Sequence, residues 1–183
     1  MLDDMERVLI IGNGGSGKTW LAEHLGERLG LPVTHLDRRY WRAGWEPTPR
    51  EDWVALQPEL VAADRWVIDG DYSSTLELRL PRADTVVFLD LPRLVCIWAV
   101  LRRWWRYRGR SRPDMAEGVT EKIDLTFLRW VWNHPRDRRP RILAHLATAP
   151  AGTDIVRLTS RRAARAWLER IAPDTRAGTR TAA

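Results

Sequence analysis

The apolar residues of this chain come in short unbroken runs, each closed by a glycine or an aspartate. Val8 to Ile11 reads VLII and stops at Gly12. Similar runs follow at VTHLD (33–37), WVIDGD (66–71), TVVFLD (85–90) and DIVRL (154–158). Short continuous runs of this kind, rather than alternating ones, predict strands buried on both faces. Helical spacing lies between them. Leu21, Leu25 and Leu29 share one face of a helix expected over Lys18–Leu29, with Gly30 as its stop. A last helix is expected over 161–171, capped by Thr159 or Ser160, with Ala164, Trp167, Leu168 and Ile171 on its apolar face. Strand alternating with helix predicts an α/β fold with a mostly parallel sheet and right-handed crossovers. One local conflict stands out: 51–64 has a helical pattern but carries Pro58 at its middle, so it is either kinked or two short pieces.

The segment from Arg93 to Arg141 has a different character. Leu94, Ile97, Trp98, Leu101 and Trp105 fall on one helical face, which is expected to pack on the sheet, with Arg102, Arg103 and Arg106 on the other sides. The Gly/Pro loop RYRGRSRPDM follows, then a second helix, DLTFLRWVWN, and the basic run HPRDRRPR. Of the eleven tryptophans, Trp53, Trp66, Trp98, Trp130 and Trp167 sit in helix or strand patterns and are expected in the core. Trp41 and Trp45 lie instead in a loop, RRYWRAGWEP.

Composition narrows the class. With 183 residues, 44% hydrophobic and 30% charged, the chain reads as one globular domain with a sizeable core. The acidic start MLDDMERV is unlike a secretory signal, and no stretch approaches the about 18 apolar residues of a membrane span. The single Cys96 excludes an internal disulfide framework and a cysteine-rich zinc site. A cytoplasmic protein without a membrane partner is expected. The net charge is +6, yet 93–141 holds twelve Arg and one Lys against five acids, so the remainder is slightly acidic. Only two of the 30 basic residues are lysines, Lys18 and Lys122.

Lys18 belongs to the stretch GNGGSGKT, which fits G-x-x-x-x-G-K-[ST] at Gly12, Gly17, Lys18 and Thr19. A loop this poor in side chains costs conformational entropy and gives a core nothing. What it can do is turn its backbone N–H groups inward and hold a phosphate at the start of the next helix. Gly12, Asn13, Gly14, Gly15, Ser16 and Gly17 would form the cradle. Lys18 would reach the β- and γ-phosphates of ATP, and the Thr19 hydroxyl would bind Mg²⁺. The motif follows a predicted strand and opens a predicted helix, the context it requires.

Three acids end apolar strands at the edge where parallel sheets bind ligands. Asp69 and Asp90 are the candidates for the metal shell, and Asp37 is placed to orient an acceptor hydroxyl or take its proton. His35 reads as structural. Trp41 and Trp45, just beyond Asp37, are candidate walls of the acceptor site. The arginines of 93–141 suit a mobile lid over a transferring phosphate.

Taken together, VLIIGNGGSGKT, HLDRRYWRAGW, WVIDGDYSSTLELRLPRADTVVFLDLPR, LRRWWRYRGRSRPDM and FLRWVWNHPR resemble the DNA topology modulation protein (FlaR-like) family, a group similar to adenylate kinase and other small P-loop kinases. The resemblance runs from about Val8 to Ile171. It implies a three-layer P-loop kinase fold with a five-stranded parallel sheet in the order 2-3-1-4-5 and an arginine-rich helical lid. The domain would cover 1–171, with the lid at about 102–140 and a disordered tail at 172–183. In nucleoside monophosphate kinases the acid of the Asp-Gly step ending strand three helps hold Mg²⁺ through water. Asp69-Gly70 matches that step, which favours Asp69 over Asp90. Arg79 is the counterpart of an arginine that binds the acceptor's phosphate. By position, Arg102, Arg106 and Arg110 would face the transferring phosphate, joined by Arg136 or Arg139.

Two departures bear on the substrate. DYSS follows the Asp-Gly step where a true adenylate kinase carries phenylalanine-proline-arginine, and the acceptor region is rich in tryptophan. The expected activity is therefore ATP- and Mg²⁺-dependent transfer of the γ-phosphate to a small acceptor, either a nucleoside monophosphate or a hydroxyl-bearing metabolite, by a monomer or homodimer. The alternative is a nucleotide-dependent regulator that binds nucleic acid through the Arg/Trp segment 98–112, disfavoured because the tryptophans there fit a buried face. Interfacial membrane binding by 94–106 is disfavoured on the same ground.

Overall fold

A computed structural model of the chain describes residues 5–107 and 124–173. The described residues form seven strands: β1 (Arg7–Gly12), β2 (Val33–His35), β3 (Trp41–Arg42), β4 (Glu46–Pro47), β5 (Trp66–Asp69), β6 (Thr85–Leu89) and β7 (Asp154–Leu158). Five form one parallel sheet in the order β2-β5-β1-β6-β7, while β3 and β4 make a separate two-residue hairpin. Without the hairpin, the sheet follows the expected 2-3-1-4-5.

The helices are α1 (Lys18–Leu29), α2 (Leu36–Tyr40), α3 (Arg50–Leu60), α4 (Leu76–Arg79), α5 (Arg93–Tyr107), α6 (Leu125–Asp137), α7 (Arg139–Ala147) and α8 (Arg161–Glu169). Both faces of the sheet are covered, which is why its strands are apolar throughout. Val8 and Ile10 join Leu21, Leu25, Val87 and Trp167 on one side. Leu9 and Ile11 join Trp53, Ile68, Phe88 and Ile142 on the other. Each such side chain contributes about 1.5–3 kcal/mol on burial, so two opposed cores make the central strand β1 the anchor of the domain. Register then sets the functional edge. Ile10 lies beside Asp69 and Gly12 beside Leu89, so the ends of β1, β5 and β6 emerge together. Among the described residues no helix is long and apolar enough to cross a membrane.

Local signals hold where they are strong. Gly30 caps α1 in the left-handed region at φ 61°, and the Ser160 hydroxyl accepts from the Ala163 N–H at 3.1 Å to start α8. Pro58 does not split α3, which ends two residues later.

Two expectations need correction. The second strand stops at His35, not Asp37, because β5 offers it no partner beyond the His35–Asp69 pair. The chain turns into α2 instead, burying Leu36 against Gly70. The second correction concerns α5, which buries Cys96 and Val100 and leaves Leu94, Trp98, Leu101 and Trp105 exposed. Trp98 is 58% exposed rather than part of the core. The cause is close approach: a Cβ on Gly15 would collide with the Cys96 carbonyl oxygen, so the helix meets that loop along its slim side. A row of tryptophan and leucine could not come so near.

Candidate active site

The loop between β1 and α1 is shaped by its glycines. Gly15 and Gly17 take φ values of 77° and 99°, in the region that side chains other than glycine avoid. The Ser16 N–H donates to the Asn13 carbonyl at 3.2 Å, tightening the turn. Lys18 Nζ donates to the same carbonyl at 3.0 Å, so its ammonium lies across the loop's mouth. Arg161, opening α8, reaches the Gly15 carbonyl at 3.3 Å. From outside, α6 closes on the loop: Asn13 Nδ2 donates to the Val131 carbonyl at 2.9 Å, and Phe127, Trp130 and Val131 pack against Gly14.

Beside the loop, the Thr19 hydroxyl donates to Asp69 Oδ2 at 2.9 Å. These residues come from α1 and β5, and the register of β1 against β5 brings them together. His35, read from the sequence as structural, places Nδ1 3.0 Å from the same Asp69 oxygen. Among the described residues, Asp69 Oδ1 and Ser16 Oγ are buried and find no hydrogen-bond partner. At the ligand edge of the sheet, such oxygens can take a further ligand. Hydroxyl and carboxylate oxygens are the donors Mg²⁺ takes, and the glycine cradle with Lys18 fits the phosphates of ATP. The residues present therefore fit both groups.

Asp37 sits in the first turn of α2. Its Oδ1 accepts from the Tyr72 hydroxyl at 2.7 Å. Burial, then the charge of Asp37 and its hydrogen bond, push the Tyr72 phenol well above its ordinary pKa, so the phenol remains a donor. Tyr72 has a positive φ of 29°, and its ring packs 4.8 Å from both Tyr40 and Trp53. A strained residue locked by three neighbours is a positioning device. Sequence reading missed it, although a tyrosine three positions after Asp69 was a visible signal.

Also missed is a buried contact between Asp71 and His134. His134 Nε2 lies 3.4 Å from Asp71 Oδ2, and each side chain is about 5% exposed. The two residues join the ligand edge of β5 to α6.

Arg79 requires correction. Expected to bind the acceptor's phosphate, it is fully buried and donates to Gln57 Oε1, to Thr75 Oγ1 at 2.9 Å, and to the Asp71 carbonyl at 3.3 Å. Burial pulls its pKa down to about 10, against the pull of Asp71. Its guanidinium braces the turn after β5 from within. Arg79→Ala should cost about 3–5 kcal/mol, because it strands buried acceptors, and Arg79→Lys should recover only part of the loss. Denaturant unfolding would decide it, and wild-type stability in Arg79→Ala would remove this bracing role.

Asp90 is likewise committed elsewhere. It accepts from Arg139 Nε at 3.0 Å and Arg157 Nε at 2.8 Å. Burial alone would raise its pKa, but the two guanidiniums outweigh that and lower it. A carboxylate held by two arginines has little left for a metal, so Asp69 is the acid beside the loop.

Arg102 and Arg106 lie on the outer side of α5, over the rings of Trp98 (5.3 Å) and Tyr107 (5.8 Å), not beside the phosphate loop. The close approach of Cys96 and Val100 to Gly15 turns them outward. Arg136 is exposed near the end of α6, and Arg110 lies outside the described residues. Trp41 opens β3 and Trp45 lies in the turn before β4, their rings 5.3 Å apart, and Trp41 packs on Tyr40, whose ring meets the Tyr72 that holds Asp37.

Known structures share this fold. Shikimate kinase from Acinetobacter baumannii, in complex with shikimate, aligns at TM-score 0.57 and 18% identity over 93% of this chain and 92% of its own. Shikimate kinase from Bacteroides thetaiotaomicron aligns at 0.55 and 20% identity, covering 91% and 96%. A gluconokinase from Sinorhizobium meliloti 1021 aligns at 0.51 and 19%, covering 93% and 95%. The P-loop kinase fold is the common property. No protein-family model matches the chain, and no curated protein does.

Proposed function

We propose that this protein is an ATP- and Mg²⁺-dependent kinase that phosphorylates a hydroxyl group of a small metabolite. The observation carrying this reading is the Thr19–Asp69 contact at 2.9 Å, set against a glycine loop whose lysine bridges its mouth. The loop amides and Lys18 would hold the β- and γ-phosphates, and Thr19 with Asp69, the latter through water, would hold Mg²⁺. When bound, the metal neutralises charge on the phosphates. Asp37 would present Oδ2 to the acceptor while Tyr72 fixes Oδ1, so the carboxylate can accept the hydroxyl proton as the new O–P bond forms and the bond between the γ-phosphorus and the β-phosphate oxygen breaks, releasing ADP. His35 orients Asp69. Most of the acceleration then comes from positioning and charge.

Between the two acceptor classes, burial of Arg79 favours the metabolite, since the arginine expected to bind a nucleoside monophosphate is spent inside the fold. The named activities of the shikimate kinases and the gluconokinase point the same way. The FlaR-like resemblance is compatible with this reading. The remaining arginines of the expected lid, Arg108, Arg110 and Arg112, lie outside the described residues.

The test is Mg-ATP consumption against hydroxyl acids, sugars, aminoglycosides, nucleosides and nucleoside monophosphates. An acceptor that stimulates turnover far above background hydrolysis names the substrate. Nucleotide binding without stimulation by any acceptor would overturn the kinase reading.

One observation favours a second reading, the nucleotide-dependent regulator that binds nucleic acid. Trp98 and Trp105 are 58% and 75% exposed, with Arg102 and Arg106 beside them, so the ground for disfavouring it is gone. It requires binding of single strands that falls steeply with salt and is lost on replacing the two tryptophans. Absence of such binding leaves the kinase alone.

A further inference from the structure

We propose that the cleft between α6 and the start of α7 is a second anion site, built for a small ligand carrying two or more phosphoryl or carboxylate charges. Arg129, Arg138, Arg141 and Trp130 line it, with a volume of about 280 Å³. That is just below the roughly 300–1,000 Å³ usual for a small-molecule site, and leaves room for a compact ligand.

The sequence places these groups together. Thr126, Arg129, Trp130, Asn133 and Asp137 recur at three- and four-residue steps, so they share one face of α6. Pro140 then turns the chain into α7, and Arg138 and Arg141 come round to the same face. His134 and Val131, on a neighbouring face, are buried toward Asp71 and the phosphate loop. No residue of the loop lines the cleft. Trp130 is the shared wall, with one edge against Gly14 and its ring under the Arg138 guanidinium at 4.7 Å.

Charge sets the class of ligand. Among the described residues no carboxylate pairs with Arg129, Arg138 or Arg141, although Asp137 lines the cleft and Asp90 shows that arginines here do find acids. Three guanidiniums against one carboxylate leave the cleft at +2. Like charges gathered at one place repel unless an anion joins them. Stacking on Trp130 holds Arg138 in place, which leaves its edge N–H groups to meet paired oxygens. The Thr126 hydroxyl and Asn133 amide add neutral donors. Phosphoryl groups and carboxylates both present the paired oxygens this arrangement takes.

The proposal stands apart from the transfer chemistry, and its test does too. Titration calorimetry of the full chain with pyrophosphate and with citrate should show, besides any binding at the phosphate loop, an event of unchanged affinity in Lys18→Ala. That event should weaken tenfold or more in Arg129→Ala and Arg141→Ala, both exposed helical positions where alanine preserves the fold, and Arg141→Lys should recover part of it. Pyrophosphate alone would mark a phosphoryl site, citrate alone a carboxylate site, and either supports the inference. Three results would overturn it: neither probe binds, binding is equal in the arginine variants, or binding disappears in Lys18→Ala. The last would make the phosphate loop the sole anion site.

Discussion

Lys18→Ala should reduce acceptor-dependent turnover on the order of 10³-fold or more, because it removes a charged donor aimed at developing charge. The structure makes this a clean experiment. Among the described residues the Lys18 ammonium hydrogen-bonds only to the Asn13 carbonyl of its own loop. A part-exposed bond of that kind contributes about 1 kcal/mol to stability, so the folding transition should hardly move. The phosphate-binding amides survive in the variant, which should retain weak nucleotide affinity. A folded Lys18→Ala protein with wild-type turnover would sink the kinase assignment, whatever the acceptor.

Asp37→Asn separates the acceptor from the nucleotide. The amide keeps the side chain's shape and can still accept from Tyr72, but it is a poor proton acceptor. Turnover should fall about 10²–10⁴-fold, the usual worth of a positioned general base, while nucleotide affinity stays within about twofold. Tyr72→Phe is the control, since it loses the hydroxyl that orients Asp37 and keeps the ring against Tyr40 and Trp53. Its loss should be smaller, and it should lie partly in KM. If Asp37→Asn weakens nucleotide binding as much as turnover, Asp37 belongs with the phosphates and the acceptor is held elsewhere.

The strand–loop–helix unit at the N-terminus was legible from the sequence, down to the start of α1 at Lys18 and its stop at Gly30. Its signals are local: an apolar run, glycines at strained positions, and three leucines on one helical face. The sheet was legible for a similar reason. Both faces of each central strand are covered, so the strands read as unbroken apolar runs whose order follows from the fold they resemble.

The orientation of α5 was not legible in the same way. Its stripe of leucine and tryptophan was plain, but a helix can turn either side to its neighbour. Which side won depended on how near Gly15 lets a carbonyl approach, a fact about two segments some 80 residues apart in the chain. The position of Asp37 was misjudged because a strand ends where its partner ends, and β5 was the partner.

By itself, then, the sequence determined the elements, their alternation and the phosphate loop, since these rest on periodicity and on the backbone freedom of particular glycines. The tertiary structure alone decided the occupations of the polar side chains. It committed Asp90 to Arg139 and Arg157, sealed Arg79 inside, tied Tyr72 to Asp37 and set His134 beside Asp71. The physical reason is that a buried charge must find a partner, and that partner is chosen by which strands and helices happen to end side by side, not by anything the neighbouring residues along the chain specify.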